Sequence, residues 1–191
     1  MRNSFPNLEY LTIGSLIDTI QDGSLRVNLT NVHLRVNAIK GSPFAKLTSL
    51  EEINLGGSSL NHIPSNAFKI GHKEANNGKG LKILFFGNPL NGSSFELGAF
   101  THPSLNKTNI YVSFISNNIT FLNETVFLPF LQNENNQFDK LWSNPLDCDD
   151  CRTAWVCKKL SAEARSKLTQ YVECKDRHPL RDCEKNFKKC K

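Results

Sequence analysis

The sequence predicts an α/β solenoid: short parallel strands stacked along one side, turns and short helices along the other, and a small disulfide-bonded cap at the C-terminal end. Three observations in the 191 residues point there. One apolar pattern recurs with a period of 21 residues through the first third of the chain. Asparagine occurs 22 times, which suits a fold that uses side-chain amides structurally. All six cysteines fall within the last 44 residues.

The repeat comes first, because a fixed period outranks any single predicted element. Residues 29–39, LTNVHLRVNAI, place Leu29, Val32, Leu34, Asn37 and Ile39 in the pattern L-x-x-L-x-L-x-x-N-x-L. Residues 50–60, LEEINLGGSSL, repeat it with Leu50, Ile53, Leu55, Ser58 and Leu60, serine standing at the asparagine site. Upstream, Leu8, Leu11 and Ile13 continue the phase, with Leu16 at that site. Alternate residues of a short strand point inward, and stacked copies form a parallel sheet. The asparagine falls where the chain is expected to leave the strand, and its amide can bond backbone groups that the turn would bury unpaired. Leucine cannot do this, so an irregular first repeat is expected.

The period then lengthens. GNPL at 87–90 echoes SNPL at 143–146, aligning Asn88 with Asn144 and Phe85 with Leu141, while VSFISNNI supplies Val112, Phe114, Asn117 and Ile119. The ladder sites become 16, 37, 58, 88, 117 and 144. In the fourth repeat a second register, with Leu81, Leu84 and Phe86 inward, fits as well. GHKEANNGKG at 71–80 reads as a surface loop. Outer anchors (Phe44 with Leu47, Ile63 with Phe68, Phe95 with Leu97 and Phe100, Leu122 with Phe127) are expected in the core. The pattern resembles the leucine-rich repeat family, which implies a horseshoe with a concave parallel sheet.

The cysteine zone admits three readings from its own residues. Cys148-Asp-Asp-Cys151 could be half of a zinc site with Cys157 and Cys174, a redox pair, or part of a disulfide set. Asp149 and Asp150 would raise a thiol pKa, contrary to what redox chemistry needs. An even six, Cys148, Cys151, Cys157, Cys174, Cys183 and Cys190, favours three bridges, and fifteen connectivities are open. LSAEARSKLTQYV at 160–172 is expected to be a cap helix, with Leu160, Ala164, Leu168 and Val172 on one face and Ser161 as N-cap. The expected organisation is 1–146 for about six repeats and 147–191 for the cap.

Asn144-Pro-Leu-Asp-Cys148, then Cys151 with Trp155 four residues on, resembles the cysteine-rich C-terminal cap of extracellular leucine-rich repeat proteins. That family has C-x-C and four cysteines where this chain has C-x-x-C and six. The resemblance implies Cys148 with Cys174, and Cys151 with Cys190 or Cys183, leaving Cys157 the remaining partner. The segment from Phe127 through Cys157 is also similar to secreted arthropod proteins like the non-catalytic subunit of oplophorus-luciferin 2-monooxygenase, which implies an accessory or binding role.

Composition narrows function further. With 39% hydrophobic and 21% charged residues, the chain reads as globular. No apolar run is long enough to span a bilayer. The net charge of +5 lies wholly in 148–191, where 12 basic residues meet 7 acidic ones. These are interleaved without stacking aromatics, so nucleic acid is not an expected partner. The N-terminus shows no apolar signal region, yet oxidised cysteines need a secretory route, so a fragment of a secreted or cell-surface protein is expected. Sequons at Asn28, Asn91, Asn106, Asn118 and Asn123 are candidate glycosylation sites.

The five histidines, at 33, 62, 72, 102 and 178, form no catalytic pattern. No catalytic residue, cofactor or metal is expected. The partner is expected to be another protein, bound on outward strand positions: Tyr10, Thr12, His33, Arg35, Asn54, Tyr111, Ser113, Ile115, Lys140 and Trp142. Aromatics and arginine on such a face are common interface anchors. The competing reading for Trp142 is packing against the cap.

Overall fold

A computed structural model describes residues 8–25, 28–71, 80–101, 103–105, 108–168 and 171–190. Residues 72–79 of the proposed loop at 71–80, the sequon Asn106, and His72 and His102 lie outside the described residues. Six strands form one sheet: β1 (Tyr10–Ile20), β2 (Asn31–Ile39), β3 (Glu52–Asn54), β4 (Leu81–Leu84), β5 (Ile110–Ser113) and β6 (Asn136–Lys140). Their order in space is their order in sequence, and every neighbouring pair is parallel. The register aligns one apolar residue per strand: Leu11, Val32, Ile53, Ile83, Val112 and Phe138 stand side by side. All but Leu11 are buried.

The turn after each of the last four strands is built alike. Gly57, Gly87, Ser116 and Ser143 adopt φ of 63°, 64°, 55° and 60°, each one residue before a ladder site. Asn88 Nδ2 donates to the carbonyls of Leu55 and Phe85, and Asn144 Nδ2 to those of Phe114 and Leu141. Asn117 Nδ2 donates to the carbonyls of Phe85, Phe114 and Ile115, although its Oδ1 has no partner. Ser58 accepts from Val36 N–H and donates to Leu34 C=O, doing part of the amide's work.

Asn37 breaks the expectation. It lies inside β2, half-buried, rather than where the chain turns off the strand. The residue before it is Val36, whose branched Cβ resists the left-handed conformation that glycine or serine adopts at the other sites. Val36 is buried and prolongs the alternation begun by Val32 and Leu34, so the strand runs on to Ile39. Leu16 likewise lies within β1 and is exposed, just past a register shift between Ile13 and Leu16. The irregular first repeat is therefore a bulge at Gly14–Ser15.

In β4, Leu81, Ile83 and Phe85 are buried while Lys82 and Phe86 are exposed, so the register with Leu84 and Phe86 inward is not the one adopted. Behind the sheet runs a column of phenylalanine rings. Phe44 packs on Phe68, Phe68 on Phe100, and Phe100 on Phe127 and Phe130, with centroids 5.4–6.1 Å apart. Phe85, Phe114 and Phe138 link that column to the strands. Leu97, expected in this core, is 68% exposed. Glu96 beside it is tied to Ser65 N–H, and Gly98 turns the chain with φ 86°, so Leu97 sits on the outside of a turn.

The C-terminal end carries α1 (Glu124–Gln132), α2 (Trp155–Lys158) and α3 (Ala162–Ser166). Asn123 caps α1, accepting from Thr125 N–H, and Ser161 caps α3, accepting from Ala164 N–H. The expected cap helix over 160–172 is only five residues long. Leu168 leaves it to form a parallel bridge with Phe138, and Leu168 and Val172 are buried outside any helix. Three disulfides tie this region together: Cys148–Cys174, Cys151–Cys190 and Cys157–Cys183. Trp155 is buried and donates from Nε1 to Leu122 C=O, while Thr153 accepts from Leu122 N–H. One apolar cluster extends from Ile20 to Phe187, so the cap and the sheet share a core.

Candidate functional site

The strands are held by their apolar faces, which leaves the opposite face of the sheet as the place where residue identity is not dictated by packing. Register places its side chains in rows. The first holds Tyr10, Asn31, Glu52, Lys82, Tyr111 and Gln137; the second holds Thr12, His33, Asn54, Leu84, Ser113 and Lys140. A third follows where the strands end, through Leu16 and Arg35 to Phe86, Ile115 and Trp142, linked by backbone bonds from Gly57 to Phe86, Gly87 to Ile115 and Ser116 to Trp142.

Nine of the ten sequence-derived face residues reach this surface. Tyr10, Thr12, Arg35 and Trp142 are exposed, and His33, Asn54, Tyr111, Ile115 and Lys140 are half-buried. Ser113 is 3% exposed and offers no side chain to a partner. It lies opposite Lys140 across a register shift, recessed in the lining of a depression beside Leu84 and Lys140. Trp142 is 42% exposed and borders a cleft of about 420 Å³ shared with Glu173, Lys175 and Arg177 of the cap, so it flanks the cap without being buried by it.

Two depressions adjoin on this face. One, of about 380 Å³, is lined by Glu52, Lys82, Leu84, Tyr111, Asp139 and Lys140. The other, of about 400 Å³, is lined chiefly by Leu84, Phe86, Ser113, Ile115, Asp139 and Lys140. They share Leu84, Asp139 and Lys140, so the face passes from a hollow of mixed charged and apolar lining to a more apolar one across a single wall. No protein-family model matches the chain, and no curated protein matches it.

Several bonds fix the chemistry of this face. His33 Nε2 lies 2.8 Å from Glu52 Oε1. Arg35 Nε donates to Gly57 C=O at 2.9 Å, holding the guanidinium beside the third row. Phe86 folds its ring over Gly56, where a Cβ would sit 1.8 Å from a ring carbon. Asn54 Oδ1 accepts from Gly56 N–H, which steadies the same turn. Lys140 pairs with Asp139 at 4.0 Å. The sequence reading missed Glu52, Lys82, Leu84, Phe86 and Asp139. For three of them the signal lay in choosing between the two registers of the fourth repeat: Phe85 precedes Asn88 by three, as Phe114 precedes Asn117 and Leu141 precedes Asn144, which turns Lys82, Leu84 and Phe86 outward.

The remaining candidates lie elsewhere. Cys148 and Cys151 bond to Cys174 and Cys190, not to each other, and every cysteine is in a disulfide. His62 faces Glu96 at 3.0 Å and His178 faces Asp176 at 3.9 Å, on separate segments from His33. Among the sequons, Asn28, Asn91 and Asn118 are exposed, while Asn123 is half-buried as the α1 cap. In the cap, the hydrogen bond from Lys175 holds the Asp147 carboxyl below its ordinary range, and the one from Arg152 does the same for Asp150.

Proposed function

We propose that this chain is a non-catalytic protein-binding module of a secreted or cell-surface protein: a leucine-rich repeat solenoid, closed by a cysteine-rich cap, that binds its partner on the outer face of the sheet. The observation that carries the reading is the third row, where Leu16, Phe86 and Trp142 are 48%, 47% and 42% exposed beside Arg35. Large apolar side chains left exposed along one row of a sheet suit an interface. The repeat reading is supported by consecutive parallel strands, the left-handed residue before each of four ladder sites, and the amide bonds at Asn88, Asn117 and Asn144. Three disulfides suit an oxidising compartment, and no helix among the described residues is long and apolar enough to cross a membrane.

The test is a binding screen of the oxidised protein against a panel of extracellular ectodomains, run beside a Phe86→Asp/Trp142→Asp variant with unchanged circular dichroism. A partner whose binding falls at least about tenfold on the double variant supports the sheet face. Partners that bind both proteins equally move the interface to the opposite side or the cap.

A further inference from the structure

We propose that the cleft between the last strand and the cap is a binding site for a neutral saccharide, whose ring stacks on the Trp142 indole while its hydroxyls bond to Ser143, Glu173 and Arg177. This goes beyond the protein interface proposed for the sheet face: the two share Trp142, but not Glu173 or Arg177.

The cap builds one wall of this cleft by continuing the sheet. Leu168 bridges to Phe138 in parallel, and Leu141 N–H donates to Tyr171 C=O, as Phe85 N–H does to Ser113 and Phe114 N–H to Lys140. The segment after Leu168 is thus an incomplete seventh rung beside β6, and it carries Glu173 to the cleft that Trp142 borders. The chain then doubles back: Glu173 bridges to Pro179, Cys174 N–H donates to His178 C=O, and Leu180 N–H to Val172 C=O. Arg177 sits in the tip of this hairpin with φ 65°. The Cys148–Cys174 disulfide, the bond from Lys175 N–H to Leu146 C=O and the ion pair of Lys175 with Asp147 at 2.8 Å fasten the hairpin to the last turn of the solenoid. A wall held in this way is preorganised for a small ligand.

The lining selects the ligand. Trp142 is its one large apolar side chain, and an indole face attracts the weakly positive C–H groups along one side of a sugar ring. The side chains of Ser143, Glu173 and Arg177 have no partner among the described residues, whereas Asn144 is spent on Phe114, Leu141 and Ile119. The charges balance: Glu173 stands against Arg177, Lys175 is matched by Asp147, and Asp176 lines the adjoining hollow rather than this one. An anion would meet Glu173 and a cation would meet Arg177 and Lys175, so a neutral ligand is favoured. Sugar hydroxyls both donate and accept, so one edge of a ring can serve a carboxylate, a guanidinium and a hydroxyl together. The volume of about 420 Å³ falls in the range of small-molecule sites.

The test is calorimetric titration of the oxidised full chain with neutral oligosaccharides of glucose, galactose, mannose and N-acetylglucosamine, beside sialylated and sulfated oligosaccharides and free amino acids. At least one neutral oligosaccharide should bind, with an affinity that barely changes between about 50 mM and 500 mM salt. It should also shift tryptophan emission, which reports on Trp142 because the other tryptophan, Trp155, is buried. Glu173→Ala and Arg177→Ala should each weaken binding roughly tenfold, the size of one lost hydrogen bond to a charged group, and Trp142→Ala should weaken it further. Phe86→Asp should leave saccharide binding unchanged, because Phe86 lies in a different hollow. No neutral saccharide bound at ~5 mM, binding confined to charged ligands, or neutral binding that survives both Trp142→Ala and Glu173→Ala would each overturn the proposal. None of these results touches the protein interface, which Phe86→Asp probes by itself.

Discussion

At the scale of single residues, the asparagine ladder was the most legible feature of the sequence. Asn88, Asn117 and Asn144 each bond the carbonyls of their own and the preceding strand. Asn88→Ala strands the carbonyls of Leu55 and Phe85 and the N–H of Leu60 inside the protein. That change is expected to lower stability by about 2–4 kcal/mol, read from the urea midpoint at unchanged slope. Asn37 was misread because the ladder site needs a permissive residue before it, and Val36 is not one. A pH dependence belongs to this scale too. The Lys175 hydrogen bond, followed by the Asp149 N–H, lowers the folded pKa of Asp147. Its contribution is thus present above the unfolded value of about 4 and lost as pH falls through the lower folded value. Melting temperatures from pH 6 to pH 2 should drop less steeply for Lys175→Met than for the parent; identical acid limbs would exclude Asp147 as a source.

At the scale of elements, strands were found where alternation was clean and misplaced where apolar residues ran together. LKILFF at 81–86 permits two inward sets, and burial of Ile83 and Phe85 decides between them. The helical face drawn through Leu160, Ala164, Leu168 and Val172 predicted burial correctly but not helix, because Leu168 is taken up by β6. Such a residue looks the same in one dimension whether its neighbours are one turn away or on another element. The phenylalanine column binds these elements across the long interval between β3 and β4. Phe100 touches the rings of Phe68, Phe85, Phe95, Phe114, Phe127 and Phe130. Phe100→Ala is expected to cost about 3–5 kcal/mol in chemical denaturation, and Phe100→Leu much less, since the ring's volume is what the column lacks.

At the scale of the whole molecule, the cap and the sheet are one cooperative unit, because a single apolar cluster runs through both. The six cysteines announced the bridges, and of the pairings the resemblance implied the fold adopts the one with Cys151 to Cys190, which leaves Cys157 to Cys183. Replacing that pair by alanines opens a loop spanning 26 positions and is expected to lower stability by about 3 kcal/mol. A single shifted melting transition should result, whereas a separate early transition would mean that the cap unfolds on its own. The candidate face was legible strand by strand, and nine of ten proposed residues reach it. Its charge balance was not, because pairings such as His33 with Glu52 join residues 19 positions apart.

The bulge in β1 has a consequence beyond local irregularity. β1 is the first strand of the described sheet, and the outer edge of a strand is a template for further pairing. Gly14 and Ser15 interrupt that edge at mid-length, between Ile13 and Leu16. A second molecule approaching there meets two short, offset stretches instead of one continuous template. The same irregularity that spoils the first repeat therefore limits pairing along that edge.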